Sequence, residues 1–505
     1  MQRIERGVSG MSHAPGHGRA CPGDLGWEGS VRPLSEAPGR KRAHASKFAL
    51  AGIVLSLFTA GFVALASADR AAAQLNIATE ARATLLAKSY NASGQQLFAQ
   101  LAAKPGNIVF SPYSVGTAMT MALTGARGDT ASEMARVLMQ RMAREAIDTA
   151  NAEMIAILKG YDHGGDPPVC PPGAALKAGM CEGPPTGDGK RCNYGMRLEG
   201  KSCVGDGTPG ISAKLLVANA LMLLKHGDLI SEDYATTLKT RYGAEVFRQA
   251  SLDDINAWVS RNTEGKIAKL IDSLDDNSAA VLLNAVYFKA RWATPFDKKL
   301  TKDDSFNLSR VQTVQVPLMN EGGSFSLVSR GGYRAIRLPY QVAEIGMIIV
   351  LPDDIEGMGD VARRLGPNEL ADLFAALRNG QTRKPVALAL PRFKTEYKAD
   401  LVPPFQAGGM RKAFDASGAD FSGMTSRPAA PGTIYIGQIA HRAVIDVSEE
   451  STEAAAATGA VMATASAMPA PQPPEAFRVD RPFLFYLVDD ASGAILFQGR
   501  IADPR

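Results

Sequence analysis

No run of lysine and arginine interleaved with aromatic residues occurs in this chain, and the formal net charge is only +4. That balance excludes nucleic acid as a main partner, because phosphate recognition needs concentrated positive charge. Cysteine is scarce, with five in 505 residues, and no two form a Cys-x-x-Cys pair. With His163 alone beside the cysteines, the spacing gives no zinc site, and no metal or other cofactor is implied. From Ser451 to Phe477 there is no Lys or Arg, and from Ser451 to Met468 there is no proline. A stretch with so little to pack and so little charge is unusual inside a folded protein.

What is present begins with the N-terminus. Residues 1–38 are rich in Gly, Pro and Ser and lack apolar periodicity. "GRKRAHASK" and "FALAGIVLSLFTAGFVALASA" follow, a basic flank, an apolar run and a small-residue exit. That order describes a secretory signal, with cleavage after Ala68 or Ala73. The other reading is a retained anchor helix, since the run is almost long enough to span a bilayer. Residues 1–73 are therefore an N-terminal extension with a signal peptide or anchor. The expected location is secreted or periplasmic, with membrane contact only if the apolar segment is retained.

Cys170, Cys181, Cys192 and Cys203 lie at equal intervals in one short stretch. An even number in an exported chain implies two disulfides, with three connectivities open. The surrounding segment, 160–210, is rich in Gly and Pro and poor in branched apolar residues. It cannot bury a core of its own at this size without covalent staples. It reads as a disulfide-tied insertion in a loop; a linker carrying free thiols is the alternative.

Elsewhere the chain reads as mixed α and β in one large domain. Apolar residues recur at three- and four-residue steps from Ala78 to Ala103, which predicts a helix. "SPYSVGTAMTMALTGARG" predicts a buried helix ended by Gly128, and "TASEMARVLMQ" another helix capped by Thr130. "AKLLVANALMLLKHG" and "SAAVLLNAVYFKARW" predict buried strands, "DDINAWVSRNTEGKIAKLI" an amphipathic helix, and several shorter segments further strands.

Several of these segments together resemble a known family. "NIVFSPYSV", "INAWVSRNTEGKI", "LLNAVYFKARWATPFD", "LPRFKTEYKADL" and "IYIGQIAHRAVIDVSEESTEAAAATGA" resemble serpin segments and occur in serpin order. The resemblance spans residues 75–505, interrupted by the cysteine segment. It implies an α+β serpin fold, with about nine helices, three β-sheets and an exposed reactive-centre loop. The main sheet would begin five-stranded. The implied function is inhibition of serine proteases, and also of cysteine proteases in some members, by suicide-substrate trapping. The protease cleaves the loop, the loop inserts into the main sheet, and the acyl-enzyme is carried with it. The alternative is a non-inhibitory serpin that acts as a binding or carrier protein. Neither is an enzyme.

The resemblance makes the stretch from Glu450 the reactive loop, with its hinge at Glu450, Ser451, Thr452, Glu453, Ala454, Ala455, Ala456, Ala457 and Thr458. The residues support insertion independently. A strand alternates faces with period two. Thr452, Ala454, Ala456, Thr458 and Ala460 share one parity and are all small, while Glu453 falls on the other. Small residues enter a packed sheet without overpacking it, and no proline removes a ladder donor before Pro469. Serpin loop length places the scissile bond at Ala465-Ser466, with positions up to Met468 open. Ala465 implies a protease with a small or apolar specificity pocket, elastase-like or subtilisin-like. The inhibitor is expected to be a monomer.

By the same resemblance Ser111, Ser114, Asn284 and His441 match the shutter beneath the opening sheet. Trp292 matches the breach, where the loop goes in. A hydrolase built from Ser111, His441 and Asp446 is disfavoured, since no Gly-x-Ser-x-Gly elbow surrounds Ser111.

Overall fold

The computed structural model describes residues 81–161, 175–177, 180–183, 197–199, 202–205, 213–274, 278–449 and 473–505. Among them are nine helices: α1 (81–101), α2 (Pro112–Gly125), α3 (Gly128–Val137), α4 (Arg144–Lys159), α5 (Glu232–Tyr242), α6 (Leu252–Asn262), α7 (Met358–Arg364), α8 (Pro367–Arg378) and α9 (Val402–Ala407). The strands up to the first long one are β1 (Ile108–Phe110), β2 (Ala175–Lys177), β3 (Met180–Gly183), β4 (Arg197–Glu199), β5 (Ser202–Gly205) and β6 (Ala213–Leu223). Then come β7 (Glu245–Phe247), β8 (Ala280–Ala290), β9 (Lys302–Ser309), β10 (Gln312–Arg330), β11 (Tyr333–Pro339) and β12 (Ile345–Pro352). The last six are β13 (Arg383–Pro391), β14 (Phe393–Asp400), β15 (Ile436–Val447), β16 (Glu475–Arg478), β17 (Phe483–Asp489) and β18 (Ile495–Ile501).

The main sheet has five strands in the order β14-β15-β8-β6-β7. β14 and β15 are antiparallel, and so are β8 and β6, but β15 and β8 run parallel at the centre. β8 is buried on both faces, which is why it reads as a near-continuous apolar run. One face, with Leu282, Val286, Phe288, Ile439 and Ala443, joins the main core. The other, with Val281, Leu283, Ala285, Ala440 and Val444, packs against Ile255, Trp258 and Val259 of α6. A capping box between Ser251 and Asp254 starts α6, and its apolar stripe faces the sheet.

A second sheet of nine strands runs β1-β18-β17-β12-β11-β10-β13-β16, with β9 on β10. Where three sheets are expected, the described residues of the body form two. β10 is 19 residues long; its first part pairs with β9 and β13 and its last with β11, so one hydrogen-bonded surface results. The third sheet belongs to the cysteine segment, which forms four short strands in the order β2-β3-β5-β4.

Two local readings are corrected. α2 ends at Gly125, not Gly128, and Gly128 opens α3. The guanidinium groups of Arg127 and Arg144 both donate to the Ala126 carbonyl, supplying the helix end with partners. Thr130 is not the cap of α3: it lies within the helix, and its hydroxyl accepts from Asp420 N at 3.0 Å. α2 is buried along its whole length. Gly116 makes that possible, because a Cβ there would stand 2.4 Å from the Tyr90 ring.

Candidate functional site

The central seam of the main sheet lies between β8 and β15. Parallel pairing runs from Ile436↔Ala280 to Val444↔Tyr287. Both strands continue three residues further, to Ala290 and Val447, beyond the last paired residues. The seam is thus closed over most of its length and open at one end. That end is where β15 hands over to the segment beginning at Glu450.

One rung of the closed part is polar. Asn219 on β6, Asn284 on β8 and His441 on β15 are register partners across three adjacent strands. The Asn284 amide donates to Asn219 Oδ1 and to Ser114 Oγ, each at 2.6 Å. Its Oδ1 accepts from His441 Nδ1 at 2.5 Å. Because Oδ1 can only accept, the proton sits on Nδ1 of a neutral imidazole. Burial pushes the His441 pKa down to about 3, since desolvation penalises the charged ring. His441 Nε2 is buried without a hydrogen-bond partner among the described residues. Beneath the rung, Ser111 caps α2, its Oγ accepting from Ser114 N at 2.9 Å, and Pro112 occupies the first turn.

All four residues expected in the shutter are therefore brought together: Ser114, Asn284 and His441 in one network, with Ser111 ordering the helix start. Asn219 is the member that sequence reading missed. A signal existed, because Asn219 is the polar residue midway along the otherwise apolar segment "LLVANALMLL". The alternative triad is not assembled. His441 bonds to Asn284, and Asp446 lies exposed beside Lys394 at 3.8 Å.

At the open end, Trp292 follows β8 and is 2 % exposed. Its ring stacks on Tyr340 with centroids 4.4 Å apart and meets Phe296 edge-on at 6.1 Å. Its Nε1 donates to the Ser448 carbonyl at 2.9 Å, so the indole bridges from the end of β8 to the residue following β15. Phe296 N donates to the Glu449 carbonyl at 3.0 Å. The buried Glu449 carboxylate accepts from Thr301 Oγ1 at 2.9 Å, with Arg392 at 3.7 Å. The root of the loop is thus clamped by Trp292, Phe296, Thr301 and Arg392. Of these, sequence reading found only Trp292.

The hinge from Glu450 to Thr458 and the bond Ala465-Ser466 lie outside the described residues, as do Cys170 and Cys192. Cys181 and Cys203 fall on β3 and β5, each opposite a glycine: Cys181↔Gly205 and Gly183↔Cys203. No group of three or more His, Cys, Asp or Glu able to hold a metal is found among the described residues. No helix among them is long and apolar enough to cross a membrane.

The family profile described as Serpin (serine protease inhibitor) matches residues 88–169 and 197–504. The leukocyte elastase inhibitor of Bos taurus is 32 % identical over 79 % of this chain and 93 % of its own length. Iripin-2 of Ixodes ricinus is 32 % identical over 82 % of this chain and 93 % of its own. The crystal structure of Serpin48 from the insect Tenebrio molitor superposes with a TM-score of 0.61 at 26 % identity, covering 85 % of this chain and 98 % of that one. The profile match steps over residues 170–196, within the cysteine segment, and its two spans include the residues of the five-stranded sheet and of the buried polar rung. The chain belongs to the serpin family.

Proposed function

We propose that this serpin inhibits serine proteases by suicide-substrate trapping, with the segment after Glu449 as the bait. The carrying observation is the central seam: two parallel strands, open at the end from which the loop departs. A loop turning back from β15 would lie antiparallel to both β15 and β8. It would replace one parallel ladder by two antiparallel ones, the slightly more stable kind per residue. A strand of about a dozen residues adds on the order of ten backbone hydrogen bonds, each worth net ~0.5–1.5 kcal/mol. That sum resembles the stability of a whole domain, so the uncleaved state is held by kinetics.

The small Ala465 supports a target of the elastase or subtilisin type. The basic flank, apolar run and even cysteine count support export, with two disulfides in the cysteine segment. We take the inhibitor to be a monomer.

The test is incubation of the mature protein with elastase- and subtilisin-type proteases, followed by denaturing gels. Expected are an adduct stable in denaturant and a released C-terminal peptide beginning near Ser466. Cleavage without adduct across the panel would favour the non-inhibitory reading. N-terminal sequencing of the exported protein, starting at Asp69 or Gln74, checks the signal.

A further inference from the structure

A concave site lies where α2 ends and where α4 and α5 begin. It is a cavity of about 570 Å3, and no aliphatic side chain is among its lining residues. Its wall is built of guanidinium, carboxylate and hydroxyl groups. The volume falls within the ~300–1,000 Å3 of small-molecule sites, but the apolar lining usual in such sites is missing. A ligand that fits this wall must itself be polar over its whole surface.

Two arginines set the charge. Arg127 Nη1 donates to the carbonyls of Thr124 and Ala126, at 3.0 and 2.8 Å, and Arg144 Nη2 donates to the same Ala126 carbonyl at 3.0 Å. One oxygen thus holds two guanidinium groups side by side. Burial, and then the neighbouring Arg144, push the Arg127 pKa below its ordinary value. Capping α2 uses only part of each fork. Nε and Nη2 of Arg127, and Nε and Nη1 of Arg144, have no hydrogen-bond partner among the described residues, and neither arginine forms an ion pair there. Asp420, whose charge also reaches Arg127, turns its Oδ1 to Ser422 N at 3.0 Å. Gly423 leaves room for the Arg127 fork, since a Cβ there would stand 2.1 Å from its Cζ.

The carboxylates of the wall do not neutralise this pair. Asp148 accepts from the Thr124 and Tyr242 hydroxyls at 2.6 and 2.5 Å, and Glu232 is paired with Arg248 at 2.5 Å. Asp233 has no side-chain partner among the described residues, so it remains an acceptor facing the cavity along with the Thr425 and Ser426 hydroxyls. Paired guanidinium forks match a phosphate or carboxylate, whereas an ionised carboxylate can only accept, as from a ligand hydroxyl.

We propose that this cavity binds a small phosphorylated polyol, with the phosphate between Arg127 and Arg144 and the hydroxyls on Asp233, Thr425 and Ser426. The site is independent of the trapping reading, since no residue of it lies on the main sheet and its occupancy is measured without a protease.

The test is titration calorimetry of the full chain at constant ionic strength with three probes: glucose 6-phosphate, inorganic phosphate and glucose. Glucose 6-phosphate should bind one to one with a Kd on the order of 0.1–1 mM. Inorganic phosphate should bind more weakly, and glucose should give no binding at millimolar concentration. No binding of glucose 6-phosphate in that range would overturn the proposal. Equal affinity for inorganic phosphate would overturn the polyol part, and equal affinity for glucose the anion part. Two variants locate the site. Arg144 is exposed at the start of α4 and shares its carbonyl with Arg127, so Arg144→Gln should fold normally and lose about tenfold in affinity for both anions. Asp233→Ala should weaken glucose 6-phosphate but strengthen inorganic phosphate, because it removes a hydroxyl acceptor and a repelling charge together. An unchanged affinity in Arg144→Gln, or a parallel shift of both anions in Asp233→Ala, would refute the assignment.

Discussion

His441 on β15 and Asn284 on β8 face each other across the parallel seam, joined by a 2.5 Å hydrogen bond from Nδ1 to Oδ1. A strand inserted between β8 and β15 must break this bond, because it moves the two strands apart by one more strand spacing, about 4.8 Å. The buried rung is thus a latch on the motion that the family's mechanism requires.

The latch is sensitive to acid. Burial holds His441 at about 3, below the ordinary 6.5. Between these values the unfolded chain binds a proton at this site and the closed form does not. The stability contributed is fully present above about pH 6.5 and is lost as the pH falls, by at most ~1.4 kcal/mol per unit. Denaturant melts between pH 7 and pH 4 should show this decline, and His441→Gln should flatten part of it. Parallel profiles for the two proteins would refute the assignment.

Asn284 holds three partners, so its loss exceeds that of one bond. Asn284→Ala leaves Asn219, Ser114 and His441 short of partners in a dry site. At ~1–3 kcal/mol for each unsatisfied buried group, destabilisation of about 3 kcal/mol or more is expected. Thermal melting should shift down, and uncleaved protein should lose inhibitory activity faster on warming. A variant as stable as the parent would remove Asn284 from the latch.

Glu449 separates two effects of different size. Its contact with the half-exposed Arg392, at 3.7 Å, is worth little, about 0–1 kcal/mol. Glu449→Gln keeps an acceptor for Thr301 and should be nearly silent in thermal melts. Glu449→Lys buries a cation beside Arg392 and forfeits the Thr301 bond, costing several kcal/mol, about 3–5 by analogy with broken buried pairs. Equal effects of the two substitutions would count against the clamp.

Thr452 is the first hinge residue whose parity faces inward on insertion. Thr452→Arg would bury an unpaired charge, costing roughly several kcal/mol. Insertion should slow, and the protein should be cleaved as a substrate instead of trapping. Unchanged trapping stoichiometry would contradict the assigned parity.

Cleavage within Ala463–Met468 should raise the thermal midpoint sharply, since the inserted strand completes the sheet. Calorimetry of intact and cleaved protein checks this. Coincident transitions would mean that no strand is added.

Local patterns made much of this protein legible. The apolar runs of β6 and β8, the capped stripe of α6 and the buried "SPYSVGTAMTMALTG" helix follow from burial and periodicity, which are encoded within a dozen residues. The ordered motifs pointed to the family, and through it to Ser111, Ser114, Asn284, His441 and Trp292. Local reading failed where distant groups intervene: the Ala126 carbonyl, just past the end of α2, is met by Arg144, eighteen residues on, as well as by Arg127, and Thr130 serves Asp420 rather than its own helix.

Residue type and spacing are properties of the chain, and they determined the fold class, the small-residue hinge and the polar groups placed in apolar strands. Which of those groups meet is a matter of strand register, and register is set by pairing between segments far apart in sequence. Folding alone put Asn219 in line with Asn284 and His441, brought Thr301 and Arg392 to Glu449, and left the seam open at the end nearest the loop. No local pattern could show this, because Asn219, Asn284 and His441 meet only when three strands align side by side.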